Sequence, residues 1–272
     1  MTRPLPADLV VPPRPGLIDA LMREREKDDP DFHLIEKQIA SDIGVSGALL
    51  KVANSPLLGS ARRLTSVREA MQALGMRQVI ALASGLVLRH LMKGGDTGSM
   101  ERFWDTTDHV ASLCGLLSRR FRIADVDQTM TYGLFHDCGI PLLMTRYRNY
   151  KDVLRAANAQ PDRPFIDVED ELLDTNHAVV GNILAKNWGL PAPLCDAILN
   201  HHDLEYFLVS KGADNGVTKT LIAVGHFAEH LHHLSKRGSI DMEWSKFGDH
   251  VLRHFGLSSD DYEDLVAEFD AG

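Results

Sequence analysis

From Leu17 onward the apolar residues recur three and four positions apart, and no useful stretch alternates apolar with polar. That spacing lays side chains along one stripe of a helix, whereas alternation would line one face of a strand. The pattern predicts an all-α chain. Its plainest instance is SVREAMQAL. Ser66 is a helix-capping residue type, Glu69 three positions later completes a capping box, and Val67, Ala70, Met71 and Leu74 share a face. Helices are expected over residues 32–40, 42–52, 66–74, 100–121, 126–137, 141–157, 176–188, 191–201, 218–234, 242–254 and 259–269, with a buried helical segment at 79–88.

Proline and glycine divide the chain. Residues 1–15 hold five of its twelve prolines and read as an extended, poorly ordered lead-in. NSP (Asn54 to Pro56) is a turn signal, and KGADNG (Lys211 to Gly216) is a loop. KGGDTGS (Lys93 to Ser99) has three glycines in seven residues and is the best linker. It separates an N-terminal helical lobe, 16–95, from a C-terminal one, 96–272.

Composition narrows the function classes. A net charge of −9 argues against non-specific nucleic-acid binding, which needs clustered positive charge. The run Arg23–Lys27 and the pair Arg119-Arg120 are too mixed or too short to change that. No apolar run approaches the roughly 20 residues of a membrane span, and no signal-peptide pattern is visible. The three cysteines, Cys114, Cys138 and Cys195, form no metal-ribbon spacing and suit a reducing compartment, so a cytoplasmic location is expected. Dinucleotide, P-loop and nucleophile-elbow motifs are absent. Nine of the thirteen histidines lie between His177 and His254, and HLHH (His230 to His233) is expected on a solvated face.

The chemistry concentrates where polar residues end apolar stripes. In YGLFHDCGIPLLM (132–144), Asp137 continues the stripe of Met130 and Leu134, and His136 lies about 100° round the helix. Cys138 reads as a small buried hydrophobe. Asn176 is a plausible N-cap, and His177 shares a face with Val180, Gly181 and Leu184. Leu194, Ala197 and Ile198 lead to His201, with His202 adjacent. Three such ends on three helices can converge on a divalent transition metal such as iron, manganese, zinc or nickel. Core histidines bonded to backbone carbonyls would carry the same signature.

These residues carry a resemblance. IASDIGVSGALLKVANSPLLG, LTSVREAMQALGMRQVIAL, FWDTTDHVA, GLFHDCGIPLL and HAVVGNILAKNWGLPAPLCDAILNHH together resemble the HDOD family, relatives of the HD-domain metal-dependent phosphohydrolases. The resemblance implies a two-lobed all-helical HD-like fold. It implies metal ligands at His136, Asp137, His177 and at His201 or His202. It also places Thr106 where active HD enzymes carry their first histidine, with His109 nearly one turn later. Their late aspartate falls at His226, with Gly225 as the other candidate. One ligand is thus lost and one exchanged, so no catalytic residue is expected. The implied function is a bacterial signal-transduction module acting through a protein partner, in cyclic-di-GMP or two-component pathways, without turnover. The alternative is a metal-dependent phosphohydrolase acting on a nucleotide or cyclic nucleotide.

Overall fold

The computed structural model describes residue 6 and residues 9–54, 63–92, 97–160, 163–209, 215–237 and 242–270. Among these the regular structure is all α-helix, with no strand, as the apolar period predicts. Five helices form the N-terminal part: α1 (Gly16–Arg25), α2 (Phe32–Ala40), α3 (Ile43–Ala53), α4 (Val67–Leu74) and α5 (Met76–Leu91). Eleven follow: α6 (Thr97–Phe121), α7 (Val126–Phe135), α8 (Gly139–Arg146), α9 (Tyr150–Asn158), α10 (Phe165–Leu173), α11 (His177–Asn187), α12 (Ala192–Asn200), α13 (Leu204–Val209), α14 (Asn215–Arg237), α15 (Met242–Phe255) and α16 (Ser259–Asp270).

Side-chain caps set several helix starts. Asp31, Asp42, Asp125 and Asn176 each accept a backbone N–H from the first turn of the helix they precede. Ser66 does the same for α4, but the return bond differs from a capping box: the Glu69 carboxylate accepts from the N–H of Thr65, at 2.6 Å, not from Ser66. The NSP turn beyond Asn54 and the linker up to Asp96 lie outside the described residues, as does most of the 211–216 loop.

The helix α5 joins the two parts. Every residue from Gln78 to Leu88 is buried, because α5 packs against α1, α3 and α4 on one side and α7 on the other. One apolar core therefore runs from Ile18 through both parts to Leu265. Each fully buried leucine, isoleucine or valine in it contributes about 1.5–3 kcal/mol. The expectation of a poorly ordered lead-in fails over residues 9–15. Leu9 is buried, Trp188 Nε1 donates to the Pro12 carbonyl, and Arg14 donates to the Trp188 carbonyl.

Three further expectations are corrected. The helix expected over 141–157 is two, α8 and α9, because Tyr147 takes an extended conformation (φ −112°, ψ 113°). The helix expected to reach Asp137 ends at Phe135, which leaves His136, Asp137 and Cys138 in the turn between α7 and α8. Helices α1, α10 and α13 lie outside the expected ranges, although Asp203 caps the N–H of Tyr206 at the start of α13.

A close helix contact positions the site. A Cβ on Gly139, at the start of α8, would stand 2.1 Å from the His177 carbonyl oxygen. Only glycine lets α8 lie this near the first turn of α11, which brings Asp137 beside His177.

Candidate metal centre

The three expected helix ends do converge. His136 and Asp137 lie in the α7–α8 turn, His177 opens α11, and His201 and His202 follow α12. Asp137 Oδ1 lies 3.4 Å from His177 Nε2 and 3.5 Å from His201 Nε2. His177 Nε2 is 3.2 Å from His201 Nε2 and 3.1 Å from His202 Nε2. The other oxygen, Oδ2, is 3.5 Å from His136 Nε2, which also lies 3.1 Å from Glu229 Oε1. Among the described residues two groups thus have ligand atoms close enough to share an ion: Asp137, His177, His201 and His202, and His136, Asp137 and Glu229. Asp137 belongs to both.

Each ring has its other nitrogen bonded to an acceptor. His136 Nδ1 donates to the Gly133 carbonyl at 3.0 Å and His201 Nδ1 to the Ile198 carbonyl at 2.8 Å. His177 Nδ1 donates to Glu169 at 2.6 Å and His202 Nδ1 to Glu243 at 2.7 Å. Where a ring is neutral it has one N–H, so these bonds leave the Nε2 atoms of His177, His201 and His202 as lone pairs facing inward, while His136 Nε2, which faces Glu229 Oε1, donates to that carboxylate unless a cation takes the proton's place. Lone pairs about 3 Å apart repel unless a cation or a proton lies between them. Nitrogen ligands about 2.1 Å from one ion are themselves separated by roughly 3.0–3.4 Å, which the observed separations match. The donor set, neutral imidazole with carboxylate, is that of a transition metal.

The electrostatics agree. Burial alone would lower the His136 pKa, but the charges of Asp137 and Glu229 outweigh it and raise it to about 9. Burial likewise opposes protonation of His177, and the Glu169 charge overrides it, so that pKa is raised. Burial, with His201 beside it, pushes His202 down to about 3. Burial works against the Asp137 carboxylate, yet the surrounding imidazoles, His136 first, hold it well below the usual range. The carboxylates thus favour positive charge at His136 and His177, whereas burial lowers His201 as it does His202 and keeps both neutral.

His226 is not drawn into either group. Its Nε2 donates to the His201 carbonyl at 2.7 Å, and its ring stacks on Phe247 at 4.1 Å. It braces the segment that carries His201. Gly225 faces Tyr132, whose ring is 2.5 Å from where a Cβ would be. The acid in this region is Glu229, one turn beyond His226 on α14 and missed by reading the sequence. Thr106 lines the same cavity of about 260 Å³ as Asp137, His177 and Glu229. His109 turns away and pairs its Nδ1 with His232 Nδ1 at 2.5 Å. The expectation of a solvated HLHH fails: His230 is buried, stacked on Trp244, and bonded to the Tyr262 hydroxyl. Its stripe faces α15 and α16.

Comparison with known proteins settles the family. The model of the HDOD domain matches residues 11–204. The chain belongs to the HDOD domain family. Among solved structures, an HDOD domain protein of unknown function from Geobacter sulfurreducens superposes with a TM-score of 0.70 at 24% identity, covering 96% of this chain and 89% of that one. A provisionally assigned phosphohydrolase from Shewanella amazonensis gives 0.70 at 20% identity, covering 96% and 90%. A provisionally assigned signal transduction protein from Marinobacter aquaeolei gives 0.66 at 21%, covering 95% and 56%. At these identities the likeness shows the HDOD fold. An uncharacterized protein of Treponema pallidum is 24% identical over 197 residues, 72% of this chain and 38% of that protein, so the chain spans well under half of that relative's length. No helix among the described residues is long and apolar enough to cross a membrane.

Proposed function

We propose that this HDOD protein is a bacterial, cytoplasmic signalling module whose HD-derived pocket holds a divalent transition metal. It works by docking a protein partner, in cyclic-di-GMP or two-component signalling. The observation that carries the metal is the inward convergence of four Nε2 atoms, each with its Nδ1 bonded to an acceptor behind it. His177, His201, His202 and Asp137 would hold one ion, and His136, Asp137 and Glu229 would hold or share a second. A bound divalent ion supplies Lewis acidity and neutralises anionic charge. Signalling use is supported by family membership. It is also supported by the cavity: its described lining is imidazole, carboxylate, Thr106, Asn158 and apolar side chains, so a phosphate ester meets acids and no lysine or arginine.

The second reading is a metal-dependent phosphohydrolase acting on a nucleotide or cyclic nucleotide. Glu229 favours it by placing a carboxylate beside His136, where His226 cannot act. The experiment is an assay of metal-loaded protein against nucleoside monophosphates, cyclic mononucleotides and cyclic dinucleotides. Bound metal with no product supports the signalling reading. Product formation that vanishes in Asp137→Ala replaces it with the hydrolase.

A further inference from the structure

We propose that Glu169 and Glu243 are positioning residues: they fix His177 and His202 as the tautomer protonated at Nδ1 and so turn both Nε2 lone pairs into the cavity. The purpose of this arrangement rests on the metal-holding reading above; its geometry does not.

A carboxylate only accepts hydrogen bonds, so the imidazole nitrogen facing it must be the donor. Glu169 has no exposed surface. One oxygen accepts from His177 Nδ1 at 2.6 Å and from the His177 backbone N–H at 3.2 Å. Its other oxygen accepts the Tyr150 hydroxyl. Glu243 accepts from His202 Nδ1 at 2.7 Å with one oxygen and from Lys246 Nζ at 2.8 Å with the other. Lys246 also donates to the Arg163 carbonyl at 2.7 Å, which fixes where Glu243 stands. Both acids are therefore held by further groups while they hold the rings.

The four rings are not held alike. His136 and His201 donate to carbonyls three residues back in their own helices. Those acceptors come with the helix end. The acceptors for His177 and His202 come from α10 and α15, 8 and 41 residues away in sequence. Burying an anion is costly unless it is paired, and packing alone does not call for it when a carbonyl can hold a ring. What a carboxylate adds is a stronger acceptor: it makes the opposite nitrogen a better electron-pair donor, as outer-shell acids do behind metal-bound histidines. The two rings so treated are the ones whose Nε2 atoms lie 3.1 Å apart.

The test starts with metal-free full-length protein carrying ¹⁵N-histidine. Long-range ¹H–¹⁵N spectra at alkaline pH, where neutral rings are populated, report each tautomer. The expected result is protonated Nδ1 at His177 and His202 in the wild type. Glu243→Gln should convert His202 partly to the Nε2-protonated form, because the amide can donate to Nδ1. Glu169→Gln should do the same at His177. In parallel, Zn²⁺ affinity should fall about 10–100-fold in each folded variant, with circular dichroism unchanged. If Glu169→Gln fails to fold, Glu243→Gln carries the test. Protonated Nε2 in the wild type, or tautomers unmoved in both folded variants, overturns the proposal. Correct tautomers in a wild type that binds no Zn²⁺ would uphold the positioning roles and overturn the metal reading instead.

Discussion

Two sets of histidines lie in the C-terminal part of the molecule, and both are largely buried. His136, His177, His201 and His202 surround Asp137, while His226 and His230 lie one turn apart on α14. The first set has acceptors behind its rings and turns its Nε2 atoms toward Asp137. The second set spends its rings on packing: His226 stacks on Phe247 and His230 on Trp244, and each has its Nε2 bonded to a carbonyl or hydroxyl. Burial and residue type are shared. On the metal-holding proposal, what separates a ligand from a core side chain is which way the unprotonated nitrogen points, and that is decided by the group behind the ring.

The comparison can be broken most forcefully at Gly139. Alanine there would drive a Cβ to 2.1 Å from the His177 carbonyl. Gly139→Ala should destabilise the protein by about 3 kcal/mol and abolish metal binding with it; denaturant titration with and without metal checks both. His226→Ala sharpens the contrast. It should cost about 2 kcal/mol from lost stacking and a lost hydrogen bond, yet bind metal at wild-type stoichiometry if it refolds at low temperature. Loss of metal in a folded His226→Ala protein would merge the two sets. Glu229→Gln should leave the melting temperature nearly unchanged while weakening metal affinity about tenfold, roughly 1.4 kcal/mol, as read by competition with a chelating dye.

The smallest effect lies beside His109, the partner of His232. Burial raises the Asp108 carboxyl to about 6, against the opposing pull of Arg89. The folded state thus holds this proton more tightly than the unfolded chain, whose aspartates titrate near 3.9. The associated stability is fully present below pH about 4 and is lost as pH rises through about 6. Asp108→Asn should flatten that slope and gain about 1 kcal/mol relative to wild type at pH 7, with the quarter exposure of the side chain allowed for. Melting curves from pH 4 to 8 test it; parallel slopes in the two proteins would contradict it.

How much of this is legible in the sequence follows the same division. Helix starts are local: Asp42, Ser66, Asp125 and Asn176 cap the helices they precede. The period of apolar residues gives the all-α class, and helix ends at His136-Asp137, His177 and His201-His202 are visible as polar stops on apolar stripes. The break at Tyr147 is not visible, since neither a glycine nor a proline marks it. Nor are Glu169, Glu229 and Glu243. Glu229 stands one turn past the position where a ligand was sought, and on a helix one turn is about 5 Å, enough to exchange a packing role for a site role. Glu169 lies in a helix that was not anticipated, and Glu243 looks like an ordinary first-turn acid of α15. Their significance exists only once the rings they face have been brought to them.

The most direct test is metal content by inductively coupled plasma mass spectrometry. It uses tag-free wild type, the double variant His136→Ala/Asp137→Ala, and His226→Ala, each exposed in turn to manganese, iron, zinc and nickel and then desalted. The account predicts stoichiometric metal in the wild type and in His226→Ala, and none in the double variant. No retained metal in the wild type, or equal retention in the double variant, would contradict it.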